Sequence, residues 1–258
     1  MAASHQSASY PSLRDRVVLI TGGASGIGEA IVTAFCNQQA RVVFLDLLEA
    51  EGDALVARLS DGDGFAPTFL ACDLTNLDAI QRAVAQIVQV FGRVDVLVNN
   101  AGDDTRHTIE GTTSDSWDRS MAVNLKHQFF VTQAVVPSMR RAERGSIINM
   151  GSIAWVIPST NVPVYVTAKA AIVGLTRTLS HELGPAGIRV NCVMPGAIQT
   201  ERQQRLWYTE AYKAEILGRQ ALKRMIRPEE VANLVLFLAA DDSSAITNQS
   251  YVVDGGWV

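Results

Sequence analysis

Short continuous apolar runs alternate along this chain with longer segments whose apolar residues return every three or four positions. The runs predict strands buried on both faces, and the longer segments predict amphipathic helices packed over them. The first run, VVLI, lies within Arg16 to Thr21, and a glycine-rich turn from Gly22 to Gly28 leads into a helical pattern ending near Gln38. RVVFLD, Arg41 to Asp46, reads as the second strand, followed by a helix from Glu49 to Leu59 and a Gly/Asp-rich turn from Ser60 to Pro67. Phe69 to Cys72 and Val94 to Val98 read as the third and fourth strands, separated by a helix from Leu77 to Phe91. Ser114 to Arg141 reads as helix with Ser114 at its N-cap, and Gly145 to Met150 as the fifth strand. A helix from Val164 to Leu183 stops at the breaker pair Gly184-Pro185, before a sixth strand from Ile188 to Val193. Glu201 to Leu217 is polar and predicts one or two helices over a cleft. Pro228 to Ala240 is a helix with Pro in its first turn, and Ser250 to Val253 a last strand.

Strand and helix alternate throughout, which predicts an α/β fold: a doubly wound parallel sheet of about seven strands, with helices on both faces and right-handed crossovers. No composition break marks a second domain. Residues 1–10, rich in Ala and Ser, read as a flexible N-terminal tail, and residues 11–258 as a single domain carrying both cofactor and substrate sites. The 258 residues are 48% hydrophobic, enough for a large buried core. A net charge of −4 without a basic stripe argues against a nucleic-acid partner. The longest apolar stretch, near Val231 to Ala240, contains Asn233 and is too short for a bilayer, so no membrane partner is expected. The start lacks a signal-peptide pattern, and Cys36, Cys72 and Cys192 form no CxxC pair. Both features fit a cytoplasmic protein in a reducing compartment. His5, His107, His127 and His181 form no ligand cluster with the cysteines, so no metal is expected.

The candidate chemistry begins at TGGASGIG, Thr21 to Gly28, between the first strand and first helix. Glycines there allow a sharp turn and close approach of a diphosphate, and the following helix offers free N–H groups and a positive dipole end. In this βα context the turn predicts a dinucleotide site of the Rossmann type. Asp46 closes the second strand, where a carboxylate binds the adenosine ribose hydroxyls and repels a 2′-phosphate. Gly23, Ala24, Ser25 and Leu47 bring no positive charge, so the expected cofactor is NAD rather than NADP. Tyr165 and Lys169 lie four apart on one helix and share a face. A nearby ammonium and the positive nicotinamide ring are expected to lower the phenol pKa, making Tyr165 a base. Ser152, at the end of the fifth strand, is placed to hydrogen-bond the substrate oxygen.

With these residues in order, the sequence resembles the short-chain dehydrogenase/reductase family over essentially its whole length. The matching elements are the glycine turn, Asp73 in CDL, Asn99-Asn100-Ala101-Gly102, Asn124, Ser152, YVTAK from Tyr165 to Lys169, Pro195-Gly196 and Asp254-Gly255-Gly256. The resemblance implies a catalytic tetrad of Asn124, Ser152, Tyr165 and Lys169. It also implies that Asp73 contacts adenine, that Asn99 to Gly102 follow the adenosine side, and that Pro195 to Thr200 contact nicotinamide. The cofactor positions so implied are Gly22, Ser25, Gly26, Ile27, Gly28, Asp46, Asp73, Leu74, Asn100, Ala101, Gly102, Tyr165, Lys169, Pro195, Gly196, Ile198 and Thr200. Asn124 either fixes a water linking Lys169 to solvent or bends its helix. A homotetramer is implied as well, built on the helices after the fourth and fifth strands and on the C-terminal segment. Proteins of this fold that bind dinucleotide without turnover typically lose the Tyr/Lys pair, which this chain keeps.

The expected pocket mouth is polar. Asp103 to His107 and Glu201 to Tyr208 supply hydrogen-bonding groups, with Trp155, Trp207 and Tyr208 available to stack on a sugar face. The substrate residues expected are Asp104, Arg106, His107, Ser152, Trp155, Arg202, Trp207 and Tyr208. Tyr10 to Leu13, Gly102 to His107, Gly151 to Ile153 with Trp155, Arg202-Gln203 before Trp207-Tyr208-Thr209, and Leu222 to Ile226 resemble bacterial NAD-dependent aldose 1-dehydrogenases of the D-xylose type. That implies oxidation of a cyclic sugar such as xylose, arabinose or fucose at C1 to a lactone. A sugar acid or other secondary alcohol is the alternative, since Arg106, Arg202 or Arg205 could hold a carboxylate.

Overall fold

The computed structural model describes residues 8–62 and 64–258. The expected tail falls mostly on residues 1–7, outside the described residues, as does His5. Just beyond them, Tyr10 N donates to Gln38 Oε1 (2.7 Å) and Gln38 Nε2 donates to the Ala8 carbonyl (3.0 Å).

Seven strands form one parallel sheet: β1 Val17–Thr21, β2 Arg41–Asp46, β3 Thr68–Ala71, β4 Val96–Asn99, β5 Gly145–Met150, β6 Ile188–Pro195 and β7 Ser250–Val253. Their spatial order is β3-β2-β1-β4-β5-β6-β7, with every neighbouring pair parallel. The central strands are largely apolar because both faces are covered, whereas the edge strands β3 and β7 keep exposed positions, and alternate residues serve opposite layers. From β1, Val18 and Ile20 enter a core with α1 (Gly26–Asn37) and α9 (Pro228–Ala239), through Ile31, Phe35, Val231 and Val235. Val17 and Leu19 enter the other core, with α3 (Leu77–Phe91) and α5 (His127–Arg141), through Ile80, Ile87, Val131 and Met139. The second helix, α2, is Glu49–Ser60. Strand order reverses between β1 and β4, so the chain leaves a crevice beyond the carboxyl ends of those two strands.

Two expectations about the region after β4 are corrected. The stretch read as one helix is α4 (Ser114–Met121), a π-helical turn (Ala122–Lys126) and then α5. The N-cap is Thr113, one residue before Ser114: Thr113 Oγ1 accepts from Ser116 N (3.2 Å) and Ser116 Oγ accepts from Thr113 N (2.9 Å), a reciprocal pair that needs a hydroxyl three residues on. Pro163–Leu183 forms α6, and the polar stretch splits into α7 (Glu201–Leu206) and α8 (Glu210–Arg219), capped by Thr200 and Thr209. β6 runs two residues beyond the expected Val193, carrying Pro195 to the crevice. Among the described residues no helix is long and apolar enough to cross a membrane.

Candidate active site

A cleft of about 1850 Å³ opens at the carboxyl ends of the strands. The glycine turn forms one wall. Gly22 and Gly26 have φ of +66° and +59°, which other residues rarely adopt. At Gly28 an added Cβ would lie 1.8 Å from the Gly22 carbonyl oxygen. Asn100 clamps the turn from β4, with Nδ2 donating to the carbonyls of Thr21 (3.1 Å) and Gly22 (2.8 Å). Ser25 stands at the N-cap of α1 without a side-chain capping bond, so the helix presents its first N–H groups to the cleft. A cradle that one Cβ would fill, ending on an open helix terminus, fits a diphosphate.

Asp46 ties the second strand to that turn. Its Oδ2 accepts from Ala24 N (2.9 Å), and its Oδ1 from Leu47 N (2.7 Å) and Leu48 N (3.1 Å). Beside it Leu47 and Leu48 are exposed hydrophobics. Arg58, which lines this wing of the cleft, is paired with Glu29 (2.6 Å). Asp73 Oδ1 accepts from Thr75 N (2.9 Å) and Oγ1 (2.7 Å), which holds its carboxyl below the usual range. Gly22, Gly26, Ile27, Leu74, Ala101, Gly102, Pro195, Gly196, Ile198 and Thr200 all line the same cleft.

Tyr165 and Lys169 lie one turn apart on α6, with Nζ of Lys169 5.5 Å from the phenol ring centroid. Lys169 is buried and donates to the Met150 carbonyl at 2.9 Å. Burial pulls its ammonium down to about 8. Ser152 follows β5, where its Oγ accepts from Ala154 N (3.1 Å). The expected lowering of the Tyr165 pKa is not met in the chain alone. Burial pushes the phenol up to about 12, with Asp104 and Asp103 adding to the rise, while a hydrogen bond with Ser152 and the charge of Arg202 oppose it. The Lys169 ammonium is engaged by the Met150 carbonyl.

Asn124 is fully buried in the π-helical turn. Its Oδ1 accepts from Asp103 N (2.9 Å), and its Nδ2 donates to the carbonyls of Asp103 and Ser120 (both 3.0 Å). The side chain therefore pins the loop after β4 to the π-helical turn.

At the mouth, Arg202 of α7 forms an ion pair with Asp104 and another with Asp103 (2.9 Å). Gln203 Nε2 donates to Asp104 Oδ2 at 2.7 Å. Arg106 lines the cleft with its guanidinium over Trp207 (4.6 Å) and Tyr212 (5.8 Å). Tyr208 lines the cleft, is buried, and donates from its hydroxyl to the Ile198 carbonyl (3.0 Å). Three expected substrate residues do not line the cleft. Trp155 turns outward from a short 3-10 turn whose Ile153 points into the core. His107 is bound locally, its Nδ1 3.1 Å from the Thr105 carbonyl and its backbone N–H on the Asn161 carbonyl (2.8 Å). Trp207 is held behind Arg106.

A family profile described as enoyl-(acyl carrier protein) reductase matches residues 22–258. The chain belongs to the short-chain dehydrogenase/reductase family. It is 48% identical over 250 residues to a protein named "Probable galactose dehydrogenase" from Rhizobium meliloti (strain 1021), covering 97% of this chain and 98% of that one. It is 49% identical over 251 residues to D-xylose 1-dehydrogenase of Caulobacter vibrioides (strain NA1000 / CB15N), covering 97% and 99%. Among solved structures, a short-chain type dehydrogenase/reductase from Mycobacterium ulcerans superposes with a TM-score of 0.91 at 28% identity, over 97% of this chain and 91% of that one.

The protein is thus an oxidoreductase acting on a CH–OH group, in a family whose members bind a nicotinamide dinucleotide. Its cleft holds two residues that sequence reasoning did not place among the site, Tyr212 and Trp257, while Gln203 stands at the mouth where the 201–208 segment was expected. Tyr212 had a local signal, since it falls in the polar stretch Glu201 to Leu217 expected over a cleft. Trp257 had none, because only the fold brings the C-terminus to the cleft.

Proposed function

We propose that this dehydrogenase oxidises a neutral aldose at C1 to the lactone, with NAD as cofactor. The observation that carries this reading is the hydrogen-bonding rim of Asp104, Arg202 and Gln203 beside Tyr165. A polyol matches such a rim, whereas a steroid or acyl chain needs apolar walls. The names of the two curated relatives point the same way.

Ser152, Tyr165, Lys169 and Asn124 have distinct roles. Ser152 Oγ orients the C1 hydroxyl, and the Tyr165 phenolate takes its proton. Collapse of the C–O bond to a carbonyl then expels the C1 hydrogen with its electron pair. When bound, a nicotinamide ring would supply the carbon that accepts this hydride and further positive charge near the phenol. Lys169 holds the nicotinamide ribose and adds positive charge behind Tyr165. Asn124 keeps the 103–104 loop against the site. The glycine turn and the α1 terminus hold the diphosphate, Asp46 the adenosine ribose, Asp73 and Leu74 the adenine, and Pro195 to Thr200 the nicotinamide.

Asp46 beside Leu47 and Leu48 supports NAD over NADP. Three buried free cysteines support a reducing, cytoplasmic setting. Exposed Trp117 on α4, Phe129 on α5 and Val258 support burial of these faces in a homotetramer of one-domain subunits, covering residues 11–258. Purified protein mixed with NAD and a panel of aldoses tests the reading: reduced-cofactor absorbance and a lactone product are expected. Turnover confined to non-sugar alcohols, or a preference for NADP, would refute it.

A further inference from the structure

Asp104 stands at the mouth of the cleft. It lies on the loop after β4, lines the cleft and acts electrostatically on the Tyr165 phenol from across the mouth. Its carboxylate is held on both oxygens: Arg202 at Oδ1 and Gln203 at Oδ2. Asp103 takes the other arm of the same guanidinium. Two carboxylates thus face one guanidinium, and this group keeps one net negative charge over the reacting end of the site. Glu201 and Arg205, of opposite formal charge, also line the cleft from α7. Lys169 is turned to the Met150 carbonyl, and Arg106 is laid against Trp207 and Tyr212. Neither Arg202 nor Arg106 is free to clamp a carboxylate without first giving up these partners.

We propose that Asp104 sets the charge selectivity of the site, excluding substrates that carry a carboxylate and accepting a hydrogen bond from a hydroxyl of neutral ones. The inference rests on the sugar-oxidising reading above and sharpens it by removing sugar acids from the substrate class. Arg202 and Gln203 are positioning residues here: they fix the carboxylate while leaving lone pairs toward the cleft. A second negative charge brought within several ångströms of this group meets repulsion in a partly desolvated mouth, worth about tenfold or more in relative efficiency.

The test uses D-galactose and D-galacturonate, which differ only in carrying a hydroxymethyl or a carboxylate at C6. Their kcat/KM values with NAD, and their binding to the protein–NAD complex by calorimetry, are compared for the wild type, Asp104→Asn and Arg202→Gln. The wild type is expected to favour galactose by about tenfold or more, with the ratio collapsing toward unity in Asp104→Asn. Arg202→Gln should raise the ratio, because it leaves both carboxylates uncompensated. The opposite signs matter: a merely loosened rim would move both variants the same way. Galactose and galacturonate used equally by the wild type, or an unchanged ratio in Asp104→Asn, overturns this proposal while leaving sugar oxidation standing. If neither sugar binds nor turns over, the sugar reading itself fails and this proposal falls with it.

Discussion

Gly28→Ala is the sharpest local test of the cofactor cradle. The new Cβ would lie 1.8 Å from the Gly22 carbonyl oxygen and 2.8 Å from Asn100 Nδ2. Contacts under 3.0 Å are essentially never seen, so the Gly22 backbone must retreat by about 1.2 Å, the gap between those two distances. Gly22 cannot retreat freely, because its own added Cβ would already meet the Ala101 Cα at 2.7 Å and its N–H is bonded to the Leu45 carbonyl. Overpacking of this kind costs about 1–3 kcal/mol. At roughly 2–4 °C for each kcal/mol, the melting temperature should fall by several degrees. Binding suffers separately: each charge-assisted backbone donor that turns away removes about 1.5–3 kcal/mol, or roughly 10- to 150-fold in Kd. Gly218→Ala is the control, since its Cβ meets nothing within 4 Å on α8 and should stabilise slightly. Calorimetric titration with NAD, alongside thermal melts, reads both effects. Unchanged NAD affinity in a folded Gly28→Ala protein would show that the turn does not hold the cofactor.

Asp46→Ala should erode the preference for NAD over NADP, read as the ratio of the two Kd values; NADP bound more tightly than NAD by the wild type would reverse the reading of β2. His127 gives a pH prediction. Burial and the charge of Lys169 push its imidazole down to about 3, so it stays neutral in the fold while the unfolded chain takes up a proton near pH 6.5. Stability is therefore complete above pH 6.5 and falls as the pH drops toward 3, by on the order of 1–2 kcal/mol between pH 7 and 5. In urea melts His127→Gln should flatten this dependence, and an identical slope in both proteins would discard the assignment.

The sheet was readable because its central runs are apolar on both faces and flanked by breakers. Arg41–Asp46, Leu77–Phe91 and Gly145–Met150 stand where the pattern placed them. The π-helical turn at Ala122–Lys126 was not readable, because one extra residue in a helical turn leaves the apolar periodicity almost intact. At the site, the glycine turn and the Tyr165/Lys169 spacing are local features and carry their geometry in the sequence. The ion pair of Asp104 with Arg202 joins positions 98 residues apart, so only the fold reveals that the arginine is engaged. The same holds for the phenol. Helical spacing brings Lys169 close to Tyr165, but only the structure shows the ammonium turned to the Met150 carbonyl and the phenol raised by burial. Trp155 misled because its side chain has the right chemistry in a turn that faces outward.

The central claim is that Tyr165 moves the proton, and Tyr165→Phe tests it by removing one oxygen while keeping the ring. With the sugar that turns over best, and with C1-deuterated sugar used to establish that hydride departure limits the rate, kcat should fall by about 10² or more. NAD affinity should stay near that of the wild type, because the ring and Lys169 remain. A Tyr165→Phe protein that keeps most of the wild-type rate, with the isotope effect showing that chemistry is limiting, would contradict the account.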